Sequence, residues 1–292
     1  MEKLAKYRFN FMGYRRQAMA VSAILILISL GSLLTKGLNL GIDFTGGNLV
    51  QIEFQAPVEV GDVRDVLAQT GQESAVIQAY SDRGVIIRLK AEEEDVRQRA
   101  VEALRSKYET LQVLRFEKVG PVVGQQLRQE AFIALGLALL GILAYITVRF
   151  QFRFAAASVV ALLHDTIITL GVFSLTGREI SVTFIAAILT IVGYSLNDTI
   201  VVLDRVRENW KHLRSWGVDD TMNVSINQTL SRTINTSLTT FLPVLAFYIW
   251  GGPVLSNFSF ALMVGILVGT YSSIYVASSI LDEWFKKSPL KG

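Results

Sequence analysis

The chain has 292 residues, no cysteine, two histidines, a formal net charge of +3 and 51% apolar residues. The missing cysteines exclude disulfides, thiolate metal sites and cysteine nucleophiles, and His164 and His212 are too far apart in sequence to make a metal motif. Positive mean hydropathy and unevenly spread charge point to a polytopic membrane protein, in which the basic excess flanks membrane spans and implies no nucleic-acid site.

Residues 1–17 are short and basic, with Lys3, Lys6, Arg8, Arg15 and Arg16, and read as a cytoplasmic N-terminus. The first span follows at residues 18–36, with an apolar run from Ala18 to Leu34. No small-residue cleavage site ends that run, so it reads as an uncleaved span rather than a signal peptide.

Residues 39–126 read as a soluble domain on the far side of the membrane. Val50, Ile52 and Phe54 alternate with polar residues, as a half-buried strand does. Asp62 is positioned to cap a helix whose Val63, Val66 and Leu67 share one face. Ala75, Ile77 and Ala79 alternate again, and Ser81-Asp82-Arg83-Gly84 turns the chain into Val85, Ile87 and Leu89. Val96, Ala100, Val101 and Leu104 mark a second amphipathic helix, and Leu111 to Lys118 a last strand. The order β-α-β-β-α-β is the split-βαβ, ferredoxin-like α+β pattern. With no ligand cluster, nucleophile motif or phosphate loop, the domain reads as a binding or mechanical module.

Residues 127–285 read as a bundle of five more transmembrane helices, with apolar runs at Ala131–Val148, Phe154–Leu175, Ser181–Leu203, Leu230–Trp250 and Phe258–Leu281. Arg149 and Arg153, Arg205 to Arg214, and Lys286 and Lys287 put their connections and the C-terminus, residues 286–292, on the cytoplasmic side. The outer connections Gly177–Ile180 and Gly251–Asn257 carry almost no positive charge. The expectation is six spans with both termini inside.

Several polar groups interrupt these runs. Asn197 and Asp198 lie inside the fourth, with Ala187, Ile191 and Tyr194 preceding Asp198 at helical spacing. A carboxylate there costs about 2.5–3.5 kcal/mol on insertion scales, which favours a proton- or ion-handling group over one that only fixes helix register. His164-Asp165 sits mid-way along the third run, where Ser158, Ala161, Asp165 and Thr169 share a face, and Asp165 reads equally as a helix-helix hydrogen-bond partner. In the fifth run Arg232, Asn235, Thr236 and Thr239 fall at i, i+3, i+4 and i+7, ahead of Pro243. Such a face needs water or a polar neighbour, although Arg232 alone could snorkel to the interface. Gly265, Gly269, Ser272 and Ser273 form a small-residue stripe suited to close helix packing.

In order and spacing, a set of motifs resembles the SecF family of bacterial protein-export subunits, within the resistance-nodulation-division superfamily of proton-driven transporters. The set comprises Gly41-Ile42-Asp43-Phe44-Thr45-Gly46-Gly47, Val119-Gly120-Pro121, His164-Asp165, Gly193-Tyr194-Ser195-Leu196-Asn197-Asp198-Thr199 with Asp204-Arg205-Val206-Arg207-Glu208, and Ser231-Arg232-Thr233-Ile234-Asn235-Thr236-Ser237. The resemblance implies a periplasmic domain after the first of six spans, in the bacterial inner membrane. It implies pairing with SecD, a second six-span half, and work beside the SecYEG channel, with YajC and YidC as further neighbours. The substrate it implies is an unfolded preprotein, moved with help from the proton-motive force after the ATPase SecA. It further implies no enzyme activity and no cofactor beyond protons as coupling ion. Asp198 matches the family's membrane carboxylate and Arg232 its arginine on the following span.

Three other readings compete. An efflux half-transporter for lipids or small molecules would need a larger insert than residues 39–126 offer. A scaffold for the channel would not need a membrane carboxylate. An intramembrane aspartyl protease would carry Gly-x-Gly-Asp, and Ser195-Leu196-Asn197-Asp198 does not fit.

Overall fold

The structure, a computed structural model, describes residues 9–89, 94–108, 110–149, 152–212 and 216–287. Lys3, Lys6 and Arg8 at the N-terminus, Arg214 of the basic cluster and residues 288–292 at the C-terminus lie outside the described residues. In chain order the elements begin with α1 (Arg15–Thr35), β1 (Gly47–Phe54), α2 (Val60–Ala68), β2 (Val76–Ser81), β3 (Gly84–Leu89), α3 (Glu94–Lys107) and β4 (Leu111–Val119). They continue with α4 (Pro121–Arg149), α5 (Phe152–Thr176), α6 (Val182–Asn209), α7 (Val218–Trp250), α8 (Gly252–Ser272) and α9 (Ser278–Lys287). Two compact units result, Leu40–Ile133 and Met1–Asn39 with Ala134–Gly292.

The first unit is a four-stranded antiparallel sheet in the order β2-β3-β1-β4. Alternation along the strands turns Val50, Ile52, Phe54, Ile77, Val85, Ile87 and Leu89 to one face, where Val63, Val66 and Leu67 of α2 and Val96, Ala100 and Leu104 of α3 close the core. The hairpin turn falls where the sequence puts it, with Ser81 paired to Gly84. Asp62 is corrected: α2 starts two residues earlier, with Glu59 extended before it, and Asp62 lies in the first turn without a side-chain cap bond. Val60 packs against the core and draws the helix start back, while Asp62 still complements the helix dipole.

At the entrance to this unit Gly41 precedes a one-turn helix, Ile42–Thr45, that holds Asp43 in its first turn and buries Phe44. Gly46 and Gly47 then take φ of +70° and +121°, a region only glycine enters without strain. A Cβ on Gly46 would stand 2.9 Å from Pro121 Cα, and one on Gly124 3.0 Å from the Gly46 nitrogen. The double glycine therefore lets the entering turn lie directly on the first turn of α4. A Cβ on Gly120 would meet nothing within 4 Å.

The second unit is helical and buries its cores between neighbours: α8 packs on α5, α6 and α7, and α1 on α5. Among the described residues, five stretches are long and apolar enough to cross a bilayer: Met12–Thr35, Pro121–Arg149, Phe152–Thr176, Val182–Asn209 and Leu255–Lys287. The chain is thus a helical membrane protein with several candidate spans. At 33 residues α7 is long enough, but its hydroxyls and amides keep it outside that set. It begins at Val218, twelve residues before the expected apolar run, because Gly217 at φ +83° ends the preceding segment and Asp219 and Asp220 favour a helix start.

That extra length of α7 is buried and polar. Asn227 donates to the Phe9 carbonyl (2.8 Å) and accepts from the Phe9 N–H (3.0 Å), and Asn223 accepts from the Met12 N–H (2.9 Å). Arg15 reaches Asp219 (2.7 Å) and the fully buried Asp282 (3.2 Å), and Lys286 pairs with the same two carboxylates. Basic residues that read as topology markers also tie the helix ends together.

Candidate functional site

Asp198 lies on the face of α6 that meets α7 and is 1% exposed. Its neighbours are hydroxyls. Thr236 Oγ1 stands 3.2 Å from one carboxylate oxygen and Ser237 Oγ 3.4 Å from the other. A hydroxyl has one proton to give, and both have better acceptors. Thr236 Oγ1 is 3.0 Å from the Arg232 carbonyl and 2.9 Å from the Thr233 carbonyl. Ser237 Oγ is 2.7 Å from Thr270 Oγ1, whose own proton goes to the Ile266 carbonyl at 2.7 Å. Asp198 therefore sits among donors that are not committed to it. When protonated it can in turn donate to the same oxygens.

Arg232, one turn before Thr236 on α7, is exposed, unlike Asp198. Among the described residues no ion pair joins the two. Asn197 is also exposed, as is Gly193 one turn before it on α6, so the structure does not bring Asn197 to Asp198's partners.

Asp165 on α5 is 1% exposed as well, and its setting is the opposite. One oxygen accepts from Ser195 of α6 at 2.6 Å and from Ser272 of α8 at 2.8 Å, and the other faces His164 Nδ1 at 2.9 Å. The His164 ring stacks on Tyr271, at 6.2 Å between centroids, and its Nε2 is buried without a hydrogen-bond partner among the described residues. The Tyr271 hydroxyl goes on to the Ala18 carbonyl of α1 at 2.6 Å. One carboxylate thus ties α5 to α6 and α8, and its histidine extends the knot towards α1.

Glycine sets the spacing of these helices. A Cβ on Gly265 would run into the Ile191 side chain, and one on Gly269 would stand 3.0 Å from Ser195 Cβ. Gly193 does no such packing: a Cβ there would meet nothing within 4 Å. Past Ser272 the helix widens into a π turn, Ser273–Ala277, whose Ser273 carbonyl accepts from the Ser278 hydroxyl at 3.0 Å.

Two groups were not among the candidate site residues read from the sequence, although Ser237 closes one of the motifs. Ser237 and Thr270 sit off the i, i+3, i+4, i+7 row counted from Arg232, and no helical periodicity links two helices. Arg178, the lone cation of an outer connection, bonds Asn257 (2.9 Å) and the Tyr248 hydroxyl (3.0 Å) and lies 4.1 Å from the Phe260 ring centroid. It joins the start of α6 to the end of α7 and the start of α8.

Comparison with known proteins adds the following. The model for "Protein export membrane protein SecD/SecF, C-terminal" matches residues 100–287, and that for the "SecD/SecF GG Motif" residues 31–58. The protein translocase subunit SecF of Pseudomonas aeruginosa is 45% identical over 93% of this chain and 90% of its own length. That of Desulfurispirillum indicum is 47% identical over 97% and 93%. A crystal structure of SecDF from Thermus thermophilus, described as a translocon-associated membrane protein, superposes with a TM-score of 0.90 at 44% identity. The match covers 97% of this chain and 39% of that one, so the chain spans about two-fifths of the solved SecDF. A second SecDF structure, in a super-membrane-facing form, superposes with a TM-score of 0.73.

Proposed function

The chain belongs to the SecF family of protein translocase subunits, and we propose from that premise that it is a proton-driven subunit assisting late stages of protein export. In this reading it pairs with SecD, as suggested by the single SecDF polypeptide of Thermus thermophilus that its sequence matches over 38% of that protein's length. The pair works beside SecYEG, with YajC and YidC nearby, and draws or releases an unfolded preprotein outside the inner membrane. The chain is a transport subunit rather than an enzyme, with protons as its coupling ion.

Six spans follow if the Leu230–Trp250 portion of α7 is counted with the five apolar stretches. What supports counting it is its length and its packing against α6 and α8. Both termini and residues 286–292 are then cytoplasmic. Residues 39–126 are read as a periplasmic ferredoxin-like domain, supported by the strand order β2-β3-β1-β4 with two helices on one face.

The observation that carries the mechanism is Asp198 itself, a buried carboxylate in an apolar helix whose donors among the described residues are shared hydroxyls. Burial makes its charge costly, so gain and loss of a proton change the local energy sharply. Arg232 close by favours the charged form, and any motion of α7 that alters its distance changes the proton's affinity. One charge crossing about 100 mV supplies about 2.3 kcal/mol, enough to bias a two-state element roughly fifty-fold. That suits a domain alternating between holding and releasing a chain. Asp165 and His164 take the supporting part, holding α6 in place. An aspartyl protease would need both carboxylates in one site, and here they bind separate donor sets.

The test is export into vesicles containing the SecD partner, with and without a proton gradient. Asp198→Asn keeps the shape and removes the titrating group, and is expected to abolish stimulation by the gradient while inserting and assembling normally. Stimulation equal to wild type would refute the proton-carrier reading.

A further inference from the structure

At the end of the bundle where α1 begins, a cleft of about 410 Å³ lies between α1 and α9. That volume is within the range of about 300–1,000 Å³ usual for small-ligand sites. Its charged lining is Arg15 and Arg16 of α1 with Glu283 and Lys287 of α9. Arg15 is committed to Asp219 (2.7 Å), to the buried Asp282 (3.2 Å) and to Glu283 (3.5 Å), so the lining carboxylate is already paired. Arg16 and Lys287 are exposed, and neither has an ion pair among the described residues. Two like charges on one cleft repel each other, and a bound anion would relieve both.

The rest of the lining is apolar, with Met19, Ile280 and Trp284. Trp284 is held by the start of α5: the Phe152 ring meets it edge-on at 6.3 Å between centroids, and the Arg153 guanidinium lies 5.9 Å from its ring. Indoles favour the boundary between lipid headgroups and acyl chains. Counting from Arg16, the helical repeat sets Ala20, Ala23, Leu27 and Leu34 on one face of α1. All four are exposed, Leu27 at 68% and Leu34 at 86%. An apolar track therefore runs from the cations along the whole helix. A free phosphate would use the cations and leave that track bare, whereas a membrane lipid uses both.

We propose that this cleft binds an anionic phospholipid, with its phosphate on Arg16 and Lys287, its glycerol backbone against Trp284 and an acyl chain along the Ala20–Leu34 face of α1. Basic pockets between membrane helices are where anionic headgroups are held. The guanidinium supplies a planar fork for two phosphate oxygens, and the ammonium a compact charge on a flexible stem. The lipid would join the start of α1 to the last helix of the chain, beside the ion-pair cluster of Arg15, Asp219, Asp282 and Lys286. The inference needs α1 and α9 to end at a membrane surface, and it makes no use of Asp198 or of the pairing with SecD.

The test places the full chain in phosphatidylcholine nanodiscs with a trace of phosphatidylglycerol that carries a photoreactive acyl chain, and maps the labelled peptides by mass spectrometry. Saturable labelling of α1 between Arg16 and Leu34 is expected, competed by plain phosphatidylglycerol and not by phosphatidylcholine or inorganic phosphate. A cation at a membrane surface is worth about fivefold in binding, so Arg16→Gln with Lys287→Gln is expected to weaken the competition about twenty-five-fold. Its unfolding temperature in phosphatidylcholine should match wild type, because both side chains are exposed. Arg205→Gln with Arg207→Gln removes the same charge from the end of α6 and is expected to leave labelling unchanged. Equal weakening in the two double variants would reduce the effect to diffuse surface charge and overturn the site. Equal labelling by a photoreactive phosphatidylcholine, or competition by inorganic phosphate, would overturn the anionic lipid as occupant. Absence of labelling on α1 in the folded wild-type chain would do the same.

Discussion

Asp165 and Asp198 are the same residue, equally buried, on helices that pack against each other, and the structure treats them in opposite ways. Asp165 is saturated: two serine hydroxyls at 2.6 and 2.8 Å and an imidazole nitrogen at 2.9 Å come from three helices. Asp198 has two hydroxyls at 3.2 and 3.4 Å, both with closer acceptors elsewhere. A carboxylate with close donors from three helices holds those helices together. One with contested donors is free to gain and lose a proton with little rearrangement. Donor commitment, more than burial, separates the two carboxylates.

The comparison predicts a double dissociation. Asp198→Asn should remove gradient-stimulated export completely while changing thermal stability in detergent by no more than ~1 kcal/mol, the scale of one ordinary hydrogen bond. Asp165→Ala should do the reverse in kind. It strands Ser195, Ser272 and His164 in the bundle, and breaking a buried ionic site costs about 3–5 kcal/mol. A large fall in unfolding temperature is expected, and equal stability losses in the two variants would break the distinction.

Gly265→Leu should fall next in size. Its side chain meets Ile191 between α6 and α8, and overpacking a filled interface costs about 1–3 kcal/mol. Because this interface positions α6, export should fall along with stability, unlike in Asp198→Asn.

Arg232→Lys tests the electrostatic half of the Asp198 site. An ammonium is compact and strongly hydrated, so it should restore only part of the field of the guanidinium, and stimulation should fall severalfold with normal insertion. The double variant Asp198→Asn, Arg232→Lys should be no worse than Asp198→Asn alone, since both changes break one coupled pair. Additive losses would mean the two act separately.

The smallest effect concerns a third carboxylate, Asp219, at the start of α7 outside the apolar run. Partial burial raises its carboxyl, but hydrogen bonding to Lys286 and the charge of Arg15 outweigh that and hold it below the usual range. A depressed carboxyl adds stability that is full above its ordinary titration range and lost as pH falls through the lowered value. Asp219→Asn should therefore cost under ~1 kcal/mol at neutral pH, because the group is half exposed, and nothing in strong acid. Unfolding curves at pH 7 and pH 3 would show whether the gap closes.

Read by itself, the sequence determined the membrane class and the strand and helix order of residues 47–119, and it singled out Asp198 and Arg232 as candidates. Apolar runs, alternation and a charged residue in an apolar helix are local signals, legible without a third dimension. The helix starts at Val60 and Val218 were less legible, because a helix extends as far as tertiary packing rewards it. Only the tertiary structure decided which hydroxyls meet which carboxylate. Ser272 read as a small residue for close packing and Ser195 only as part of a motif, and both are donors to Asp165. Ser237 and Thr270 meet because α7 and α8 cross beside Asp198, and Asn197, next to Asp198 in sequence, is turned away from it by the 100° step of the helix. Hydrogen-bond partnership between helices depends on rotation and crossing, quantities that spacing along one chain does not encode.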